Sequence, residues 1–312
     1  MILTVTLNPC IDHTAEVERL VPGGTNRVLS SRRDPSGKGV NVSTVLHELG
    51  AETLCLGVSR EENAGLLESV LERQGIPYDF LRVPGSLRTN LKLLDRSCGV
   101  MTECNEKGSP LTEEQLTCFL ALARRRLSGA SLLVLSGSVP PGVPADFYQT
   151  LALAASESGV PVVLDASGPL LLEGLKAHPV LIKPNLDELR ESFGVSVSGL
   201  PALAGACRSI VREYGVSYVC LSMGADGAML VNADTAWHTP GSPVSVRGVQ
   251  GAGDSMVAGL CLGLLNSDAP EQLLRSAVAA AQGSLERPGT LLCTQKDFLR
   301  FLPQIPVKPL TF

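Results

Sequence analysis

Short β-branched or leucine-rich runs alternate with helical patterns along this sequence, and that alternation constrains the fold more than any other feature. It is the pattern of a mostly parallel sheet wrapped by helices, so the chain is expected to be α/β. The runs at 2–7, 132–136, 160–165, 180–183 and 218–222 are nearly continuous apolar segments, as strands covered on both faces must be. Helical patterns fall at 41–49, 64–74, 113–127, 146–158, 201–214, 252–265 and 270–286. Thr112 and Gln115 form a capping-box pattern, and Gly50, Gly75, Gly159 and Gly215 stand where helices end in left-handed geometry.

Two segments break the alternation. Residues 12–36 and 84–108 are richer in Arg, Ser, Gly and Thr and carry short alternating pieces, which suits a small sheet projecting from the main body. No repeat, low-complexity tract or linker divides the rest, so residues 1–312 are expected to form a single principal domain.

Composition narrows the function. The 312 residues are 44% hydrophobic, enough for one large core, and the net charge of −5 with dispersed basic residues disfavours nucleic acid as a partner. Nine scattered cysteines without a Cys-x-x-Cys pair fit reduced thiols in a cytoplasmic protein. The first residues lack a basic leader, and no apolar run approaches the ~20 residues of a membrane span, so neither secretion nor a membrane is expected.

The sharpest local feature is Gly251-Ala252-Gly253-Asp254-Ser255-Met256 at the head of an apolar helix. Backbone N–H groups at such a start, with the helix dipole, attract anions such as phosphate. An aspartate in that first turn can take a proton from a hydroxyl attacking phosphorus; the plain alternative is that Asp254 caps the helix. The dinucleotide pattern fails because Met256 replaces its third glycine, which counts against an oxidoreductase. The Walker pattern fails at Ser36-Gly37-Lys38-Gly39, where Gly39 follows the lysine and Arg32 stands five before Gly37. That turn can still hold a substrate phosphate with Lys38 and the amides leading to Asn41, or be a flexible surface turn.

Lys183-Pro184-Asn185-Leu186-Asp187-Glu188 follows a strand and opens a helix. Asn185 and Glu188 read as a cap, or as outer ligands of a magnesium ion through water. Ser222-Met223-Gly224-Ala225-Asp226-Gly227 is a further strand-edge turn, which a hairpin explains equally well. Arg27, Arg88 and Lys92 lie in the two irregular segments, where each taken alone reads as a solvated surface charge. Asp12 follows the first strand, as a sugar-hydroxyl acceptor or a turn former.

Taken in order, Thr6 to Asp12, Gly37 to Val42, Arg88 to Lys92, Leu135 to Gly142, Asp165 to Gly168, Ile182 to Asn185 and Gly251 to Met256 resemble the ribokinase-like PfkB family of carbohydrate kinases over almost the whole chain. The Gly-Lys-Gly turn and the Arg-Thr-Asn block are similar to its branch acting on ketohexose phosphates, the 1-phosphofructokinases and tagatose-6-phosphate kinases.

The resemblance implies a ribokinase-like domain with a small β-sheet lid, dimerisation through that lid, and ATP with Mg2+. It implies phosphorylation of fructose 1-phosphate to fructose 1,6-bisphosphate, with tagatose 6-phosphate the alternative acceptor and a non-catalytic sugar-phosphate sensor the remote one. Asp254 would be the base, and Gly251, Ala252 and Gly253 would offer amides to the transferred group. Asp12, Gly37, Lys38, Asn41, Arg88 and Asn90 would bind the sugar phosphate, with Arg27 and Ser138 beside them. Lys183, Asn185, Glu188, Ser222, Gly224 and Gly227 would serve the nucleotide and metal. Three departures stand out: Ser36 where glycine is usual, Cys10 where alanine is common, and Gly248-Val249-Gln250 where a trio such as Ser-Thr-Val usually precedes the glycine turn.

Overall fold

The computed structural model describes residues 1–241 and 244–311. The chain opens with β1 (Ile2–Thr6), β2 (Cys10–Val17), β3 (Val28–Ser36), α1 (Lys38–Glu48), β4 (Thr53–Arg60), α2 (Ala64–Gln74) and β5 (Tyr78–Val83). It continues through β6 (Arg88–Asp95), β7 (Val100–Asn105), α3 (Glu113–Leu127), β8 (Leu132–Ser136), α4 (Phe147–Glu157), β9 (Val162–Asp165) and α5 (Gly168–Leu175). Then come β10 (Leu181–Ile182), α6 (Leu186–Phe193), α7 (Leu200–Tyr214), β11 (Tyr218–Ser222), β12 (Ala228–Val231) and β13 (Ala236–Thr239). Last are α8 (Ala252–Leu265), α9 (Pro270–Leu285), α10 (Gln295–Phe301) and β14 (Lys308–Leu310).

The large sheet runs β14-β13-β12-β11-β10-β9-β8-β1-β4-β5; it is parallel from β11 to β5 and antiparallel beyond β11. Period-two alternation divides the core between its faces. Leu3, Val5, Leu133 and Leu135 pack with Phe119, Tyr148 and Leu151 from α3 and α4, while Ile2, Leu132 and Val134 pack with Leu46, Leu260 and Leu274 from α1, α8 and α9. Helices therefore cover both faces, as the apolar runs predict.

The expected strands and helices are present with ends moved by a few residues. Thr112 and Gln115 make the expected capping box, and Gly50, Gly75, Gly159 and Gly215 all have positive φ. One buried central strand, β4, escapes the sequence pattern because it carries Thr53, Ser59 and Arg60. Their polar atoms are satisfied inside: Thr53 Oγ1 donates to the Ile2 carbonyl (3.2 Å), Ser59 Oγ to Glu68 Oε1 (3.1 Å), and Arg60 Nη1 to the Pro84 carbonyl (3.1 Å).

A separate four-stranded sheet, ordered β3-β2-β6-β7, forms from residues in and beside the two irregular segments. β2 is parallel to β6 and antiparallel to β3. Its Cys10–Ser36 end leads directly from β1 and into α1, so the small sheet is anchored at the C-terminal edge of the large one. In open α/β sheets that edge is where ligands bind.

Candidate active site

Five side chains converge at that edge. α8 begins at Gly251, whose φ of +73° is the left-handed cap that turns the incoming loop into the helix, and Asp254 sits in the first turn at 7% exposure. Its Oδ2 accepts a hydrogen bond from Asn41 Nδ2 at 2.7 Å. α1 starts at Lys38, earlier than the sequence pattern suggests, and thereby brings Lys38 and Asn41 onto one helix end. Gly39 permits this approach, since a Cβ there would lie 2.4 Å from the Val5 carbonyl oxygen.

Asp165, at the end of β9, joins the two lysines. Lys38 Nζ donates to Oδ2 at 3.1 Å, and Ser136 Oγ donates to the same oxygen at 3.2 Å. Lys183 Nζ lies 3.2 Å from Oδ1, close enough for an ion pair but off the hydrogen-bond direction. A Cβ on Gly253 would stand 3.7 Å from Lys183 Nζ, so this ammonium flanks the glycine turn.

The charges shape one another. Burial pushes the Asp254 carboxyl above the ordinary carboxylate range, against the pull of Lys38; Asp165 pushes it further up. Burial also pushes Asp165 up, but Lys183 and Lys38 outweigh it and hold that carboxyl at about 2. Asp165 in turn holds Lys38 protonated. One carboxylate is thus fixed as an ion, and the other is raised toward the range useful to a general base.

Two cavities flank this cluster. The smaller, about 240 Å³, is lined by Thr6, Asn8, Lys38, Arg88, Ser138 and Glu188 among others. Arg88 is held by the carbonyls of Asn8 (3.2 Å) and Glu106 (3.0 Å) and by Asn90 Oδ1 (3.3 Å), and Ser138 Oγ accepts from Asn8 Nδ2 at 3.4 Å. The larger, about 780 Å³, is lined by Asn185, Ser222, Gly224 and Gly227 and by Ala252 and Gly253 of the glycine turn. Val246, Met256 and Leu285 make it largely apolar.

Most of the expected residues lie around these cavities, but two readings change. Arg27 is not brought to the cleft: it is exposed, just outside the Val17–Val28 end of the small sheet. The cleft adjoins the Cys10–Ser36 end, roughly 23 Å away along the strand. Lys92 is no surface charge but a buried ion pair with Asp12 at 2.9 Å, each side chain 6% exposed. Asn185 and Glu188 do form the reciprocal cap of α6, at 2.8 and 2.9 Å.

Asp12 Oδ1 also accepts from Asn90 Nδ2 (3.0 Å) and the Cys10 thiol (3.6 Å). Burial and Asp12 push that thiol to about 12, so Cys10 acts as a neutral donor. Ser36, at the first departure from the family pattern, accepts from Asn41 Nδ2 at 3.4 Å. Asp165 is the residue that sequence reasoning left without a role. Its signal is an acidic group ending an otherwise apolar strand, where an unpaired charge would be costly.

Residues 5–297 match the profile described as pfkB family carbohydrate kinase. The chain belongs to the pfkB family. As a pfkB carbohydrate kinase it transfers a phosphoryl group to an alcohol acceptor. It is 37% identical over 289 residues to the 1-phosphofructokinase of Xanthomonas campestris, covering 91% of each chain. The structure of phosphofructokinase-2 from Escherichia coli in complex with substrates and products superposes with a TM-score of 0.92 at 28% identity, over 97% of this chain and 99% of that one. Ribokinase from Arabidopsis thaliana complexed with ribose and ATP shares the fold, with a TM-score of 0.80 at 23% identity over 96% and 98% of the two chains.

Proposed function

We propose that this chain uses ATP to phosphorylate the C6 hydroxyl of fructose 1-phosphate, giving fructose 1,6-bisphosphate. The observation that carries the reading is the seat of Asp254, a buried carboxylate that adjoins Gly253 of an apolar cavity of nucleotide size and feels the charge of Lys38, which lines a polar cavity together with Arg88. The 1-phosphofructokinase name of the Xanthomonas relative supports the choice of acceptor.

In this reading Lys38 and Arg88 neutralise the acceptor's phosphate. Asn41 holds Asp254 Oδ2, leaving Oδ1 to accept the proton of the attacking hydroxyl. The amides of Gly251, Ala252 and Gly253 and the Lys183 ammonium face the charge on the transferred group. The purine rests on the apolar wall of the larger cavity, beside Ser222, Gly224 and Gly227.

Magnesium bound with the nucleotide supplies further neutralisation of phosphate charge. The residues fit a cation that keeps its water. No cluster of three or more His, Cys, Asp or Glu side chains suited to a metal occurs among the described residues, and Glu188 commits only Oε2 to its cap. Asn185 and Glu188 would hold the ion through water.

The proposal includes a cytoplasmic homodimer. Val28, Leu29, Val100 and Met101 are 40–56% exposed on the two edge strands of the small sheet, an apolar margin suited to a second copy. No described helix is long and apolar enough to cross a membrane.

An ADP-release assay over fructose 1-phosphate, tagatose 6-phosphate, fructose 6-phosphate and fructose tests the reading. Fructose 1-phosphate is expected to give the highest kcat/KM. A higher value with any of the others would displace it.

A further inference from the structure

Both edges of the small sheet are fastened to the main body. On the β3 edge, Arg32 donates from Nε to Asp34 Oδ2 at 2.6 Å and from Nη2 to Thr290 Oγ1 at 3.2 Å. Thr290 Oγ1 donates to the same Asp34 oxygen at 2.9 Å, which closes a three-membered ring. On the β7 edge, Gln250 Nε2 donates to Glu103 Oε1 at 3.3 Å.

The ring has a seat with no spare room. Gly289, at φ +65°, lies under the Arg32 guanidinium; a Cβ there would come 2.1 Å from Nη2. Its carbonyl oxygen presses on Gly248, where a Cβ would approach to 2.5 Å, and Leu292 covers Gly251, where a Cβ would approach Cδ2 to 2.3 Å. A serine at 248 would collide with this backbone, which accounts for the glycine at that departure from the family pattern. Arg32, Gly289, Gly248 and the cap of α8 are thus contiguous, and Gln250, the other fastening, is the residue before Gly251.

We propose that the Arg32–Asp34–Thr290 ring is a positioning device for phosphoryl transfer. It sets the small sheet, which carries Asp12, Arg88 and Asn90, over the helix that carries Asp254, and passes that placement to Gly251 through Gly289 and Leu292. The ring members are themselves substantially exposed, 43% for Arg32 and 27% for Asp34, so they contribute little to global stability. Their effect falls on alignment, where small displacements of reacting groups are costly in rate. The inference rests on the kinase reading above.

Thr290→Val keeps the shape and removes both bonds of the hydroxyl; Thr290→Ser keeps the hydroxyl and serves as the rescue; Gly289→Ala unseats Arg32. Thr290→Val and Gly289→Ala are expected to raise KM for the sugar phosphate about fivefold or more. Both should also raise ADP release over sugar product, because a loosely seated sheet admits water to the nucleotide. Thr290→Ser should behave as the parent chain. Unchanged KM and an unchanged ratio of ADP to product in Thr290→Val overturn the proposal, as does equal damage from Val and Ser. Should the parent chain turn over none of the ketohexose phosphates, the kinase reading falls, and hydrogen exchange of residues 28–36 then judges the ring. Faster exchange in Thr290→Val than in the parent supports it, and equal exchange overturns it.

Discussion

Asn41 and Asp254 face each other at 2.7 Å, the amide Nδ2 donating to carboxylate Oδ2, and this bond joins the first turn of α1 to the first turn of α8. The glycine turn that leads into α1 and the glycine turn that caps α8 are thereby held as one unit. The same amide reaches Ser36 Oγ at 3.4 Å, so its rotamer is fixed from two sides. The base of the proposed reaction is oriented by a neutral donor and need not be discharged by a close cation.

Asp254→Asn is expected to lower turnover by about 10²–10⁴-fold, the usual worth of a general base. An asparagine oxygen still accepts from Asn41, so binding of the sugar phosphate should persist. Stability at neutral pH should hold or rise. A carboxyl raised in the folded state stabilises most below its unfolded pKa and loses that contribution as pH rises through the folded value, and the amide removes this cost. Steady-state kinetics and thermal denaturation of the purified variant check both statements.

The acid limb of the pH profile follows from the same burial. Asp254 must be ionised to accept a proton, and its carboxyl lies above the ordinary value of roughly 3.9. The kcat/KM of the parent chain should therefore fall as pH drops through a value above that reference. A profile flat down to the ordinary carboxylate range would remove Asp254 from the role.

Asp165 has the opposite sign. Held at about 2 by Lys183 and Lys38 against its burial, it stabilises the fold above the unfolded carboxylate pKa, and that contribution is lost as pH falls through about 2. Asp165→Ala leaves Lys183, 5% exposed, without its counter-ion. Breaking one partner from a buried pair costs about 3–5 kcal/mol. Urea denaturation at neutral pH should show a loss of that order, and a loss below about 1 kcal/mol, as for a surface pair, would contradict the arrangement.

Arg88→Ala is expected to raise KM for the sugar phosphate more than it lowers kcat, because the guanidinium lines the smaller cavity, where the acceptor's phosphate is proposed to bind, and makes no contact with Asp254. Initial rates at varied sugar phosphate and saturating ATP separate the two. A defect confined to kcat would place Arg88 elsewhere in the mechanism.

Much of this was legible in the sequence because it is local. Apolar runs fix the central strands, and Gly251 to Asp254 announces a helix start with an acid in it, whatever lies around it. Long-range charge pairing is another matter. Lys92 reads as a surface cation because its strand also carries Arg88, Thr89 and Asn90; only the parallel pairing of β6 with β2 sets it against Asp12. Asp165 likewise gains its role from two lysines distant in sequence, Lys38 and Lys183, which the strand order brings together. Arg27 shows the converse, since an arginine in the right segment still lies at the wrong end of an extended strand.

The Asp12–Lys92 pair offers the most discriminating test of the small sheet. Both side chains are 6% exposed, and Asp12 is further bound by Asn90 Nδ2 and the Cys10 thiol, none of which carries a positive charge. Lys92→Met keeps the apolar stem and strips the cation, leaving a buried carboxylate with neutral donors alone. A loss of about 3 kcal/mol or more is expected in urea denaturation. Asp12→Asn in the Lys92→Met background removes the stranded charge and should recover part of that loss, because the new amide oxygen can still accept from Asn90. The double-mutant cycle then shows a coupling well above the ~0.5 kcal/mol seen for independent sites. Additive losses would mean that Asp12 and Lys92 do not neutralise each other, and that the carboxylate is held by its neutral donors instead.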